Sequence, residues 1–277
     1  MGEPDPLQVA VEAAREAGAL ALGAFRGRLE ISSKGGSDIV TQIDTASEAA
    51  ICARLAAAFP GDAILAEERG RQGGDTAFGW VIDPLDGTHN YAAQLPFWCV
   101  SIARVDQATG RPEIGVVYDP LHDELFAARR GGGATLNGIA LRIGGATDMR
   151  QALLACDIGY TAAISTRMMR AAVAMQPQAR RLRILGSAVL ALAYVAAGRV
   201  DAFFHLQLQP WDLAAVWLIL AEAGGTLTTW SGRVLTLSDH DVVAANPTLQ
   251  PQVLALLQRL APAGEGSGIR DQGSGTA

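Results

Sequence analysis

One short run of this sequence concentrates more chemistry than its neighbours: Trp80-Val-Ile-Asp83-Pro84-Leu85-Asp86-Gly87-Thr88. An apolar strand there ends in two carboxylates three residues apart, with a proline between them that holds a turn. Gly87 permits close backbone approach, and Thr88 is suited to cap a following helix. Carboxylates at a strand end bind hard divalent cations through oxygen, and free amides at a helix start receive an anionic ester. Together they form the two halves of a phosphate site. The same residues also read as an ordinary strand, turn and helix, because Asp-Pro and Asp-Gly are common turn pairs. The spacing of three speaks against a phospho-aspartate mechanism, which sets a nucleophilic aspartate two residues before its acid partner.

Three more acidic positions stand at the edges of expected elements. Glu67-Glu68 follows a short strand. Asp212 heads an apolar helix in Pro210-Trp211-Asp212, and Asp44 closes Asp38-Ile-Val-Thr-Gln-Ile-Asp44 at a helix start. Taken singly, a loop acid and two helix N-caps account for them. Four acidic elements together are harder to assign to capping. Lys34 is the only lysine in the chain, which makes it a candidate for a specific task, with an exposed loop lysine as the alternative.

The elements that must position these groups follow from periodicity. Apolar residues at helical spacing predict an amphipathic helix over 6–29, and ISSKGGSD after it reads as a turn-rich loop. A second helix is expected over 44–59, closed by Pro60-Gly61. Short strands are expected over 62–66 and 80–82, and longer ones over 98–105, 113–118, 124–129 and 134–143, the last around an Asn137-Gly138 turn. The second half alternates: helices over 165–175, 187–197, 213–223 and 249–260, and strands over 201–204 and 242–245. The pattern predicts an α+β fold of layered sheets and helices in one domain over 5–261, with a flexible Gly/Ser-rich tail over 262–277.

Composition narrows the function classes. The 277 residues are 49% hydrophobic and 18% charged, enough to bury a sizeable core and too apolar for a disordered chain. No uncharged apolar run approaches the ~20 residues of a membrane span. The opening MGEPDPLQVA reads as neither a signal peptide nor a myristoylation site, and a cytoplasmic protein is expected. The net charge of −6 argues against a nucleic-acid partner. The one dense basic group, Arg180-Arg181-Arg183, reads as a solvated turn before a strand. Cys52, Cys99 and Cys156 are odd in number and set among apolar neighbours, so they are expected as buried hydrophobes, outside any disulfide or metal framework.

The motifs Asp38-Ile-Val-Thr41…Asp44, Ala66-Glu67-Glu68, Trp80-Val-Ile-Asp83-Pro-Leu-Asp86-Gly-Thr88-His-Asn90-Tyr91, Gly186-Ser-Ala188, Pro210-Trp211-Asp212 and Glu222-Ala-Gly-Gly225 occur in an order and spacing that resembles the inositol monophosphatase family. This family lies within the lithium-sensitive, magnesium-dependent phosphatases, and the likeness runs from about residue 7 to 261. It implies a layered αβαβα sandwich of the sugar-phosphatase type. It also implies a homodimer that hydrolyses a small polyol or sugar phosphate, similar to inositol 1-phosphate, by metal-activated water.

Carried over by residue, the resemblance implies that Glu67, Asp83 and the Leu85 carbonyl hold one magnesium ion. Asp83, Asp86 and Asp212 hold a second, and Glu67 helps with a weaker third. Thr88, bonded to Asp44, orients the water, with Glu67 completing the catalytic set, and the Gly87 and Thr88 amides hold phosphate. Lys34 matches a lysine of a mobile loop. Asp86, His89, Asn90, Gly186, Ser187, Ala188 and His205 would face the substrate. His205 stands where inositol-preferring members carry a glutamate, and a neutral imidazole cannot replace a carboxylate charge for charge. Histidinol phosphate, fructose 1,6-bisphosphate and nucleotide 3′-phosphate therefore stay open as substrates, as does a regulatory binding role on a retained phosphatase fold.

Overall fold

Asp5 and Pro6 open the first helix as their chemistry requires. The Asp5 carboxylate accepts the Leu7 amide at 3.1 Å, and Pro6 stands in the first turn, where no amide donor is needed. The computed structural model describes residues 4–260; the tail expected over 262–277, and Ala261 before it, lie outside the described residues. Helix α1 (Pro6–Ala24) stops short of the predicted residue 29. Phe25 leaves it in an extended conformation to pack its ring 5.4 Å from Tyr91 and 5.5 Å from Trp98. A tertiary contact outweighs local helical spacing here.

The remaining helices are α2 (Gln42–Ala58), α3 (Thr88–Ala92), α4 (Ala162–Met175), α5 (Ala188–Ala196), α6 (Pro210–Glu222) and α7 (Gln250–Leu260). An eight-stranded sheet runs in the order Ile139–Ala140, Gly133–Leu136, Glu124–Arg129, Arg111–Asp119, Cys99–Asp106, Phe78–Asp86, Ala63–Ala66, Gly70–Gln72. Its pairings are antiparallel except that of Ala63–Ala66 with Phe78–Asp86. A second, five-stranded sheet has the order Arg181–Ile184, Leu153–Cys156, Ala202–His205, Val242–Ala245, Thr226–Thr228. The first three of these strands are parallel and the last two pair antiparallel.

Three apolar cores separate the layers. Ala10, Ala14 and Ala17 of α1 and Ile51 and Leu55 of α2 pack on Trp80, Ile102 and Val116 of the large sheet. Helices α5 and α6 fill the space between the two sheets, and α4 and α7 cover the outer face of the small one. The result is the layered α+β fold expected from the alternation, in the αβαβα order that the resemblance implies. Each strand of both sheets that carries an active-site candidate is buried on both faces, which reads as continuous apolar sequence. Gly115 is needed where α6 crosses: a Cβ there would stand 2.5 Å from the Ala215 carbonyl oxygen.

Several elements differ from expectation. The polar 31–38 segment contributes to an exposed hairpin, Ile31–Gly35 with Asp38–Thr41, in place of a loop. Arg181 and Arg183 lie within a strand at the sheet edge, with Arg180 just before it. The three cysteines are buried and free, as expected.

Candidate active site

The strand Phe78–Asp86 is longer than its apolar core, and both carboxylates lie inside it. Strand side chains alternate with period two, so residues three apart should point to opposite faces. The register resolves this: Asp83 pairs with Ser101 and Asp86 with Cys99, so three steps on one strand oppose two on the other. The extra residue is a bulge, and it turns both carboxylates to one side. Pro84, which has no amide to give the ladder, suits the bulge; it does not make the turn expected from the sequence. The turn comes at Gly87, whose φ of 94° is the left-handed region. Gly87 is therefore the N-cap of α3, and Thr88 is its first residue, correcting the expectation that Thr88 caps.

Thr88 is free for another task. Its hydroxyl reaches Asp44 Oδ1 at 2.9 Å and the Leu85 carbonyl at 3.1 Å. Asp44 is not an N-cap either. Thr41 caps α2, and Asp44 sits at the third helical position with Oδ2 accepting the Thr41 amide at 2.8 Å and the Thr41 hydroxyl at 2.5 Å. Asp212 repeats the device in α6, where its Oδ2 accepts the Gln209 amide at 2.7 Å. Asp86 is held from the opposite side by the start of α5, through the Ser187 hydroxyl and the Val189 amide at 3.0 Å.

These constraints converge. Asp83, Asp86 and Asp212 each bring one carboxylate oxygen to within 4.8 Å of the others. They line a cavity of about 400 Å³ together with Asp38, Glu67, Leu85, Gly87, Thr88, Tyr160, Gln207, Gln209 and Trp211. Burial, then Glu67, Asp86 and Asp212, drive the Asp83 carboxyl well above the usual range. Burial and then Asp86 do the same to Asp212. Asp86 is pushed up to about 6 by burial, offset by Ser187 and the amides of α5. Glu67 is raised by burial, against the pull of Lys34 Nζ at 2.7 Å. Lys34 also holds Glu68 at 2.5 Å. No cationic side chain pairs with Asp83, Asp86 or Asp212 among the described residues. Clustered, buried, all-oxygen donors without a protein cation fit a hard divalent ion such as Mg²⁺. A shallower apolar depression of about 530 Å³ along α4 has no acid or nucleophile suited to hydrolysis.

The remaining candidates divide. Gly87 and Thr88 line the cavity, and His89 stands beside it, stacked 6.2 Å from Tyr160. Asn90 faces away: its amide donates to the Phe97 and Leu185 carbonyls at 2.8 Å, tying α3 to the loop before α5. Ser187 and Ala188 lie behind the wall as the support of Asp86, and the Gly186 amide donates instead to Asp157 Oδ1 at 2.6 Å. His205 is not on the wall. It is 4% exposed, its ring lies flat 6.2 Å from Phe203, and burial lowers its pKa to about 4. Tyr160, Gln207 and Gln209 were missed. Isolated tyrosine and glutamine carry no spacing signal, and only the path of their loops brings them to the cavity.

The model of the inositol monophosphatase family matches residues 4–261. The Escherichia coli (strain K12) protein named Nus factor SuhB is 42% identical over 253 residues, spanning 90% of this chain and 94% of that protein. Among solved structures, the extragenic suppressor protein suhB of Bartonella henselae aligns with a TM-score of 0.87 at 33% identity, covering 91% of this chain and 98% of that one. The Thermotoga maritima IMPase aligns with a TM-score of 0.84 at 32% identity, covering 93% and 98%. An inositol monophosphatase from Anabaena (Nostoc) sp. PCC 7120 aligns at 0.81 and 35%, covering 93% and 96%.

Proposed function

The chain belongs to the inositol monophosphatase family, and from that premise we propose that it is a magnesium-dependent phosphomonoesterase acting on a small polyol or sugar phosphate. The observation that carries this reading is the convergence of Asp83, Asp86 and Asp212 on the cavity that Thr88 also lines. Glu67, Asp83 and the Leu85 carbonyl would hold one magnesium ion, and Asp83, Asp86 and Asp212 a second, with Glu67 available to a third. Bound there, the ions supply Lewis-acid activation of water and neutralise phosphoryl charge.

The chain's own groups supply orientation. The Thr88 hydroxyl has one proton, and giving it to Asp44 Oδ1 leaves its lone pairs to accept a proton from a water in the cavity. Thr41 fixes Asp44 through two bonds, so this acceptor is held in place. The Gly87 and Thr88 amides receive phosphate oxygens, and Ser187 with Val189 keeps Asp86 aimed at the cavity. Residues 5–261 act as one catalytic unit in this reading, working as a cytoplasmic homodimer. No helix among the described residues is long and apolar enough to cross a membrane.

Phosphate release from a panel of polyol phosphate, sugar phosphate, histidinol phosphate, fructose 1,6-bisphosphate and nucleotide 3′-phosphate tests the proposal. Release from the polyol or sugar substrates should require Mg²⁺ and fall about 10²-fold or more in Asp212→Asn. Release confined to the nucleotide would overturn the substrate class, and release from none would overturn the activity. The name Nus factor among relatives at 42% identity favours one second reading, a regulatory binding role. It would displace the first if Asp86→Asn abolished hydrolysis and left cellular function intact.

A further inference from the structure

Asp157 is a buried carboxylate that the proposed mechanism does not use. It follows the strand Leu153–Cys156 of the small sheet and lies outside the lining of the acid cavity. Its Oδ1 accepts two consecutive amides in the loop before α5, Leu185 at 3.0 Å and Gly186 at 2.6 Å. The Asn90 side chain grips the same loop from α3, donating to the Leu185 carbonyl at 2.8 Å. Leu185 is thus fixed at its amide by a strand end of the small sheet and at its carbonyl by α3. The next residues carry the consequence. Ser187 and Val189 hold Asp86 Oδ2, and the loop presses on the phosphate turn, where a Cβ on Gly87 would stand 3.2 Å from the Gly186 carbonyl oxygen. Asp157 Oδ2 is buried too and finds no hydrogen-bond partner among the described residues. A carboxylate half unanswered costs stability, and a fold retains one where another need outweighs that cost.

We propose that Asp157 is a positioning residue for the metal site: by holding the Leu185 and Gly186 amides it sets the start of α5, and through Ser187 and Val189 it aims Asp86 at the ion. The assignment rests on the phosphatase reading and extends it to a residue of the second sheet. A carboxylate ligand left free to rotate samples orientations that do not bind, and the groups behind it restrict that freedom. Because both amides meet on one oxygen, a shift of the loop strains both bonds at once. A charged acceptor also makes such bonds shorter and stronger than a neutral one.

The test compares the full-length protein with Asp157→Leu, which removes the acceptor at similar volume, and Asp157→Asn, which keeps a carbonyl oxygen in its place. Asp157→Ser, whose oxygen falls one bond short of the amides, carries the test where Asp157→Leu does not fold. In the metal-free protein, hydrogen exchange at the Leu185 and Gly186 amides should quicken about tenfold in Asp157→Leu and Asp157→Ser. The Mg²⁺ concentration that half-saturates the thermal shift should rise about tenfold in the same two and stay within about threefold of wild type in Asp157→Asn. With myo-inositol 1-phosphate, added Mg²⁺ should recover the lost turnover, and KM for the ester should stay within about twofold. A wild-type Mg²⁺ half-saturation in Asp157→Leu or Asp157→Ser would overturn the proposal, as would a loss in Asp157→Asn equal to theirs. Turnover of the ester by the wild type checks the phosphatase reading separately, and hydrogen exchange with the Mg²⁺ titration judges Asp157 even where turnover is absent.

Discussion

The two ends of one strand pair solve the problem of buried carboxylates in opposite ways. Before Ala63–Ala66, Asp62 is buried but fully answered: Arg104 reaches its Oδ2 at 2.9 Å and the Thr76 hydroxyl its Oδ1 at 2.6 Å. The Arg104 guanidinium is itself sandwiched by Phe59, Phe78 and Trp80, at 4.9, 4.3 and 5.7 Å from the ring centroids. At the far end, Glu67, Asp83 and Asp86 crowd together with Asp212, and among the described residues the cation paired with an acid of this group is Lys34, on the exposed strand Ile31–Gly35. Asp62 and Asp83 are both buried, while Asp86, Asp212 and Glu67 are half-buried. Charge answered within the fold is architecture, whereas charge left unanswered marks a place for something the chain does not carry.

Substitutions at the two ends should separate these roles. Asp83→Asn is expected to cut kcat about 10²- to 10³-fold. The metal-free protein should melt no lower, because one repelling buried charge is gone. Arg104→Met should do the reverse, costing about 3–5 kcal/mol in chemical denaturation by leaving Asp62 uncompensated, with kcat per folded molecule unchanged. A stability loss at Asp83 as large as that at Arg104 would erase the distinction.

A smaller effect should appear in the pH dependence. Asp86 has its folded pKa raised from 3.8 to about 6, and Glu68 from 4.5 to about 7. The folded chain thus binds more protons than the unfolded one between about pH 4 and 7, so stability is fully present below that window and is lost as pH rises through it. Without divalent ions, the melting temperature should fall from pH 5 to pH 8. Saturating Mg²⁺ should restore it at pH 8, by about 2–3 kcal/mol at a hundredfold excess over Kd, and change it less at pH 5. A metal-free protein more stable at pH 8 would contradict the repulsion at this end.

The smallest expected effect concerns Lys34, which holds Glu67 and Glu68 in ion pairs that water partly reaches. Lys34→Met should free Glu67 for the metal and lower the half-saturating Mg²⁺ concentration about threefold. Weaker magnesium binding would instead make Lys34 a support of the site.

The acid motifs were legible because each couples a residue type to a local position: a strand end, a helix start, a glycine turn. Strands buried on both faces announced themselves by apolar runs. The hairpin Ile31–Gly35 with Asp38–Thr41 did not, since its first strand is exposed throughout and has no apolar alternation to detect. Leu153–Cys156 was not among the expected strands, although it is an apolar run as long as Val242–Ala245. Asn90 fell in a matched motif and His205 at the position of a family glutamate, yet one braces a loop and the other is sealed beside Phe203.

The sequence by itself determined which oxygen donors are available and the order in which strands and helices present them, since these depend on neighbours a few residues away. Whether Asp83 and Asp86 share a face was decided by a bulge against Cys99–Asp106, a register between strands that no local spacing encodes. Which of His205 and Gln207 meets the cavity was likewise decided in three dimensions. One positive φ, at Gln207, and the packing of Phe203 and Gly159 orient those side chains, and both depend on atoms distant in the chain.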